Sequence, residues 1–169
     1  LSERSDLSAR APCYVAGRRM IEAAPATAAE LLAALHARAF PKPWSAAEIA
    51  KLMENLAVFA LMHGNGAEPN GFVMAWAAAG DSELLTVAVV PEARRKGVGA
   101  ALVTSAGVAA LVRGAASMHL EVAEDNEGAR ALYRKLGYEE AGRRHAYYAG
   151  EGGSVDAIVM RRALPRPVV

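Results

Sequence analysis

Three cations set against two glycines, RRKGVG at Arg94–Gly99, form the stretch of this sequence best suited to hold a ligand. Glycine lets a backbone approach a bound group closely and bare its amides. A helix start adds unpaired N–H groups and the positive end of the helix dipole. Arg94, Arg95 and Lys96 add long-range attraction for phosphate. The shared chemistry is an anionic ligand. Two phosphate motifs fail here. A dinucleotide fingerprint needs glycine where Leu102 stands, and a P-loop needs Lys-Ser/Thr where Gly99 is followed by Ala100 and Ala101. Taken alone, the stretch fits a glycine-containing helix start with surface arginines equally well.

A carboxylate, an amide and a phenol follow. Glu121 lies in the run MHLEVA, where alternation puts it on the face of His119 and Ala123, opposite Leu120 and Val122. Tyr133 stands seven residues after Asn126, so the two share nearly the same angular face of a helix. Each also has a plainer role: a strand-edge carboxylate paired with an arginine, an N-cap, and an aromatic packed beside Ala129 and Leu136. His36 and His63 lack partners at ligand spacing, His119 reads as a packed histidine or one that tunes Glu121, and the single cysteine, Cys13, rules out a clustered cysteine site, so no metal is expected. Trp44 and Trp76 read as core or rim aromatics, and Arg143, Arg144 and His145 as a solvated strand edge or an acceptor wall.

The elements that must position these residues are legible from period and punctuation. Met20–Ala24 reads as a short strand. Thr27 and Glu30, then Ser45 and Glu48, have the spacing of capping boxes, each followed by leucine or isoleucine at helical intervals. Pro41 and Pro43 separate the two helices. Ala57–Met62, Phe72–Ala78 and Ser82–Val89 read as an antiparallel meander, with a turn-rich stretch from His63 to Gly71. The glycine-bearing turn then opens an Ala/Leu/Val helix stopped by Arg113 and Gly114. Ser117–Ala123 is a strand, Asn126–Leu136 a helix ended by Gly137, and Tyr138–Tyr148 with Val155–Arg162 a closing pair of strands. Alternation of strand and helix after a meander predicts a mixed sheet with helices on its faces.

Bulk properties narrow the function classes. With 169 residues and 53% hydrophobic content, the chain suits one packed domain. We expect it over residues 20–163, with a flexible extension at 1–19 and a tail at 164–169. Nineteen basic against eighteen acidic residues leave a net charge of +1, which argues against a direct nucleic-acid binder. The longest apolar stretch, Val98–Val112, is too short to span a bilayer, and residues 1–19 lack the apolar region of a secretory signal. A lone cysteine fits a reducing, cytoplasmic setting.

The segment from Leu84 to Leu102, LLTVAVVPEARRKGVGAAL, resembles the strand–turn–helix of the GNAT N-acetyltransferases, whose turn carries Arg/Gln-x-x-Gly-x-Gly/Ala, matched by Arg94, Gly97 and Gly99. The segment from Leu120 to Tyr138 resembles the same family's Asn-x-x-Ala-x-x-Leu-Tyr-x-x-x-Gly-Phe/Tyr stretch. It is similar, more narrowly, to that of the bacterial ribosomal-protein-alanine N-acetyltransferases. The turn Ala39–Ser45, the strand Glu83–Val89 and the hairpin around Tyr147, Tyr148 and Asp156 share that likeness. Two departures stand out: Val90 replaces an acidic residue before the proline, and Lys42-Pro43 extends the turn.

The resemblance implies a mixed α/β GNAT fold, a mostly antiparallel twisted sheet of about six to seven strands with about four helices. It implies acetyl-CoA as co-substrate, its pyrophosphate on Arg94, Arg95, Lys96, Gly97, Val98, Gly99 and Ala100. The pantetheine arm would pair with Val87, Ala88 and Val89, and Asn126 would contact the coenzyme. Glu121 would be the base and Tyr133 the acid. The implied acceptor is a protein N-terminus, the N-terminal alanine of a small-subunit ribosomal protein. A small amine or a lysine is the alternative acceptor, and a non-catalytic acyl-CoA sensor the alternative class.

Overall fold

Three consecutive antiparallel strands form the centre of the molecule: the middle one is buried almost throughout, and the third alternates buried and half-buried residues. The computed structural model describes residues 20–64, 68–150 and 152–165. The expected extension at 1–19, with Cys13, and residues 166–169 of the expected tail lie outside the described residues. Strands β1 (Met20–Ala23), β2 (Val58–Gly64), β3 (Pro69–Ala78) and β4 (Asp81–Val89) pair antiparallel in sequence order. Strand β5 (Ser117–Ala123) then pairs parallel to β4, and β6 (Glu139–Gly150) and β7 (Gly153–Ala163) finish a seven-stranded mixed sheet in the order β1-β2-β3-β4-β5-β7-β6. The mixed α/β class and the meander stand as expected; β3 starts at Pro69, three residues earlier than the Phe72 predicted from its turn formers.

Helices α1 (Ala29–Ala39), α2 (Ala46–Met53), α3 (Val98–Val112) and α4 (Glu127–Lys135) complete the chain. The predicted box at Ser45 is present: the Ser45 hydroxyl accepts from the Glu48 N–H at 3.2 Å and the Glu48 carboxylate accepts from the Ser45 N–H at 2.7 Å. The one predicted at Thr27 is absent. Residues 26–28 form a 3-10 turn closed by the Ala28 N–H on the Pro25 carbonyl at 2.9 Å, so α1 begins at Ala29 with no side-chain cap. Pro25, in extended backbone, takes the cap position of this turn, which places Thr27 inside the turn instead of at a helix cap.

Gly71 explains how α3 seats on the sheet. A Cβ there would stand 2.8 Å from the Ala88 carbonyl oxygen and 3.2–3.3 Å from Leu102 and Val98, so only glycine lets the start of α3 lie against β3. The next residue, Phe72, is fully buried beside His36 of α1, on the other face of the strand. Helices therefore cover both faces of the central strands. A bulge between Met74 and Ala75 of β3, opposite Leu84–Thr86, adds Leu85 to β4 as an extra residue and strengthens the local twist.

Candidate active site

The turn after β4 is a concave row of amides. Pro91–Ala93 makes one 3-10 turn, Arg95 and Gly97 take left-handed φ values of 61° and 78°, and α3 begins at Val98. The first intrahelical bond is Ala101 N–H to the Gly97 carbonyl at 3.0 Å, which leaves the amides of Val98, Gly99 and Ala100 aimed out of the helix end. Alternating hands of φ converge such amides into an anion-binding nest. A Cβ at Gly97 would meet nothing within 4 Å, so glycine stands there for its φ, not for space.

Two of the three cations hold the loop. The Arg94 guanidinium donates to the carbonyls of Val89 at 3.1 Å and Ala39 at 3.2 Å, and Lys96 Nζ donates to the Glu92 carbonyl at 2.8 Å. Arg38 of α1 pairs with Glu92 from outside. Arg95 alone of the three makes no side-chain bond among the described residues, so its charge is not committed to bracing the loop.

The two central strands part beside this turn. The β4–β5 ladder runs only from Asp81↔Ser117 to Leu84↔Leu120, although β4 continues to Val89 and β5 to Ala123. Val87, Ala88 and Val89 keep β3 on one edge and lose β5 on the other. The opening is an edge at which an extended ligand can add backbone-style hydrogen bonds. Gly99 and Leu132 frame it from the helices: a Cβ on Gly99 would lie 3.4 Å from Leu132 Cδ2, next to Tyr133 on α4.

Glu121 faces a cavity of about 300 Å³ lined by Trp76, Glu83, His119, Arg144 and Val159, with Asp81 at its rim. Its carboxylate, 18% exposed, accepts from Arg144 Nε at 2.9 Å. The strand-face prediction holds, since Leu120 and Val122 are buried on the opposite side. Trp76 Nε1 donates to Glu83 at 3.0 Å, which fixes one wall. His119 Nδ1 lies 3.1 Å from Asp81. Partial burial alone would raise the Asp81 pKa, but donors from the Ser82 amide, Ser117 and His119 outweigh it and hold it below the ordinary carboxylate value. Three carboxylates against one guanidinium make the cavity attractive to a cation.

Tyr133 is 9% exposed, its ring edge-on to Tyr138 at 5.9 Å. Burial pushes the Tyr138 phenol up to about 12, partly offset by Arg162. Asn126 caps α4, its side chain accepting from the Ala129 N–H at 3.2 Å. His36 is buried, and its role is structural. Its Nδ1 accepts from the Trp44 N–H at 3.1 Å, so Nε2 carries the proton and faces Thr86 Oγ1 at 3.3 Å. Burial lowers its pKa, which keeps the ring neutral. Stacked between Phe40 and Trp44, it ties the Pro-Lys-Pro-Trp turn to β4.

Residues 29–138 match the acetyltransferase (GNAT) family. The chain belongs to that family. Within it, the chain is 41% identical over 85 residues to the [ribosomal protein bS18]-alanine N-acetyltransferase of Escherichia coli K12, covering 50% of this chain and 56% of that protein. It is 38% identical over 80 residues to the N-alpha-acetyltransferase RimI of Mycobacterium tuberculosis, covering 47% and 48%. These matched segments span about half the length of the curated relatives. The crystal structure of the ribosomal-protein-S18-alanine N-acetyltransferase from Escherichia coli superimposes with a TM-score of 0.82 at 27% identity, over 89% of this chain and 96% of that one. Arabidopsis thaliana NAA60 in complex with acetyl-CoA shares the GNAT fold at a TM-score of 0.75 and 17% identity, over 86% and 98%.

From sequence, Trp76 reads only as a core or rim aromatic, Glu83 and Asp81 carry no site role, and Arg144 stands between surface and acceptor wall. Strand pairing brings them to Glu121: Glu83 lies opposite both Trp76 and His119. Their only sequence signal was polar or aromatic character on one face of otherwise apolar strands. Among the described residues no group of three His, Cys, Asp or Glu is placed to hold a metal ion, and no helix is long and apolar enough to cross a membrane.

Proposed function

We propose that the protein transfers the acetyl group of acetyl-CoA to the α-amine of a protein N-terminus, with the N-terminal alanine of a small-subunit ribosomal protein as acceptor. The observation that carries this reading is the parting of β4 from β5. It sets an amide-lined helix start beside one strand end, and the Glu121 carboxylate of a cation-attracting cavity on the other strand. The named activity of the Escherichia coli relative supports the choice of acceptor.

In this reading the amides and Arg95 of residues 95–100 hold the pyrophosphate, and the open edge of Val87–Val89 orders the pantetheine arm. Asn126 lends its amide N–H₂, since its oxygen is engaged in the cap. A backbone amide of the same edge steadies the thioester oxygen as negative charge builds there. Glu121 takes the proton of the acceptor ammonium, because only the free lone pair attacks. Tyr133 supplies a proton to the departing sulfur and is restored by the second proton that the nitrogen sheds as it becomes an amide. The C–N bond forms, the C–S bond breaks, and the net release is one proton through Glu121.

Incubation with acetyl-CoA and short peptides bearing Ala, Ser, Met or blocked N-termini, read by mass spectrometry, tests the reading. Acetyl on the α-amine, greatest for Ala, is the expected result. Modification confined to lysine side chains would move the acceptor class, and acetyl-CoA binding without turnover on any amine would make the chain a sensor.

A further inference from the structure

The cation already seated on Glu121 belongs to the protein itself. Arg144 reaches from edge strand β6 across β7 to place Nε 2.9 Å from the Glu121 carboxylate, while remaining 58% exposed. Its guanidinium also lies 5.5 Å from the centre of the Tyr147 ring. The strand is irregular at this point: Arg144 pairs with Ala157 and Tyr148 with Val155, so residues 145–147 stand opposite the single residue Asp156. Ala146 takes a φ of 56°, a left-handed value that alanine rarely adopts. Asp156 braces the bulge, accepting from the Ala146 N–H at 2.8 Å, from Arg143 at 2.8 Å and from His145 at 3.1 Å. The backbone donor above all, with Arg143 and His145, holds the Asp156 carboxyl down at about 2, so the brace is charged throughout the physiological range.

We propose that Arg144 is an internal competitor for the acceptor ammonium: it occupies Glu121 in the resting protein, yields to the incoming amine, and returns once that amine has become an amide. The inference rests on the proposed role of Glu121 as base. A guanidinium cannot give up its proton near neutral pH, so a carboxylate engaged by Arg144 gains nothing to pass on and is blocked from its ammonium partner. The exchange is nearly balanced, one cation for another in a cavity whose other charges, Glu83 and Asp81, attract both. Acetylation removes the acceptor's positive charge, and the neutral product then has no claim on Glu121. Arg144 thus costs acceptor affinity on entry and leaves the affinity of the neutral product untouched. Its exposure makes the exchange feasible, since a half-solvated arginine loses little by swinging into water.

The test uses the full chain with Arg144→Gln and the charge-conserving Arg144→Lys. Acceptor KM, acetyl-CoA KM and kcat are measured with an Ala-terminated peptide, alongside the inhibition constant of the same peptide bearing an Nα-acetyl group. Arg144→Gln is expected to lower the acceptor KM roughly three- to fivefold, the range an exposed ion pair supports. The acetyl-CoA KM and the acetylated peptide's inhibition constant stay in place, and Arg144→Lys restores most of the wild-type acceptor KM. A higher acceptor KM in Arg144→Gln would make Arg144 an acceptor contact and overturn the proposal. So would an unchanged KM, or equal shifts for free and acetylated peptide. If the wild-type chain acetylates no peptide N-terminus, the α-amine reading fails separately, and the same variants are compared with the amine it does acetylate. A chain inert toward every amine removes both.

Discussion

The proposed donor side and the proposed acceptor side of the cleft are built from different materials. The donor side, Pro91–Ala100, presents backbone: left-handed residues, a helix start and loop-bracing bonds from Arg94 and Lys96, all within ten consecutive positions. The acceptor side is made of side chains from strands far apart in sequence, Trp76, Glu83, Glu121 and Arg144. Backbone recognition tolerates exchange of most side chains around it, provided φ is preserved. A side-chain site has the opposite sensitivity. Variants on the two sides should therefore separate acetyl-CoA parameters from acceptor and turnover parameters.

The sharpest break comes from Tyr133→Phe, which keeps the ring against Tyr138 and removes the acidic proton. Turnover is expected to fall by roughly 100-fold or more, the scale of a lost general acid, with acetyl-CoA affinity nearly intact. Unchanged steady-state turnover would remove Tyr133 from the acid role. On the donor side, Gly97→Ala meets no steric obstacle and acts through φ alone. The left-handed cost of about 1–2 kcal/mol should raise the acetyl-CoA KM roughly tenfold and leave the acceptor KM unmoved. A parallel rise in both would mean that the two sides are not independent.

His36 touches the named residues of neither side, and its effect should fall on stability. Removing it in His36→Ala strands the Trp44 N–H and part of the stacked aromatic group, at a cost of about 1–3 kcal/mol in denaturant unfolding. The same residue gives a pH signature. The folded chain holds its imidazole below the ordinary 6.5, so the unfolded chain binds a proton first as the medium is acidified. The stabilisation is complete above pH 6.5 and declines as the pH falls from there through the lower folded-state value. Unfolding midpoints at about pH 7.5 and about pH 5.5 should show that decline in wild type and a smaller one in His36→Ala. The smallest change is expected from Tyr138→Phe. Its buried hydroxyl has no hydrogen-bond partner among the described residues, so stability should stay level or rise by up to about 1 kcal/mol, with turnover retained.

What the sequence disclosed follows the same division. Arg94, Gly97 and Gly99 could be read because a helix start and its glycine φ are local events, and Glu121 was assigned to its strand face because β5 alternates without interruption. The cavity around it was hidden, since Glu83 and Trp76 become neighbours only through register between β3 and β4. Arg144 was harder still. Two register shifts in β6, at 140/142 and at 144/148, break the period-two count that would have set its face. Thr27 misled because the capping-box spacing is short-range evidence, and Pro25 diverted the backbone before it could act.

Glu121→Gln decides most directly whether the two sides do the separate work assigned to them. Turnover of an Ala-terminated peptide at saturating acetyl-CoA should drop by roughly 100-fold or more, because an amide of the same shape cannot accept the ammonium proton. Turnover within about threefold of wild type would contradict the role of Glu121 as base, and with it the chemistry placed in the cavity that Glu121 lines.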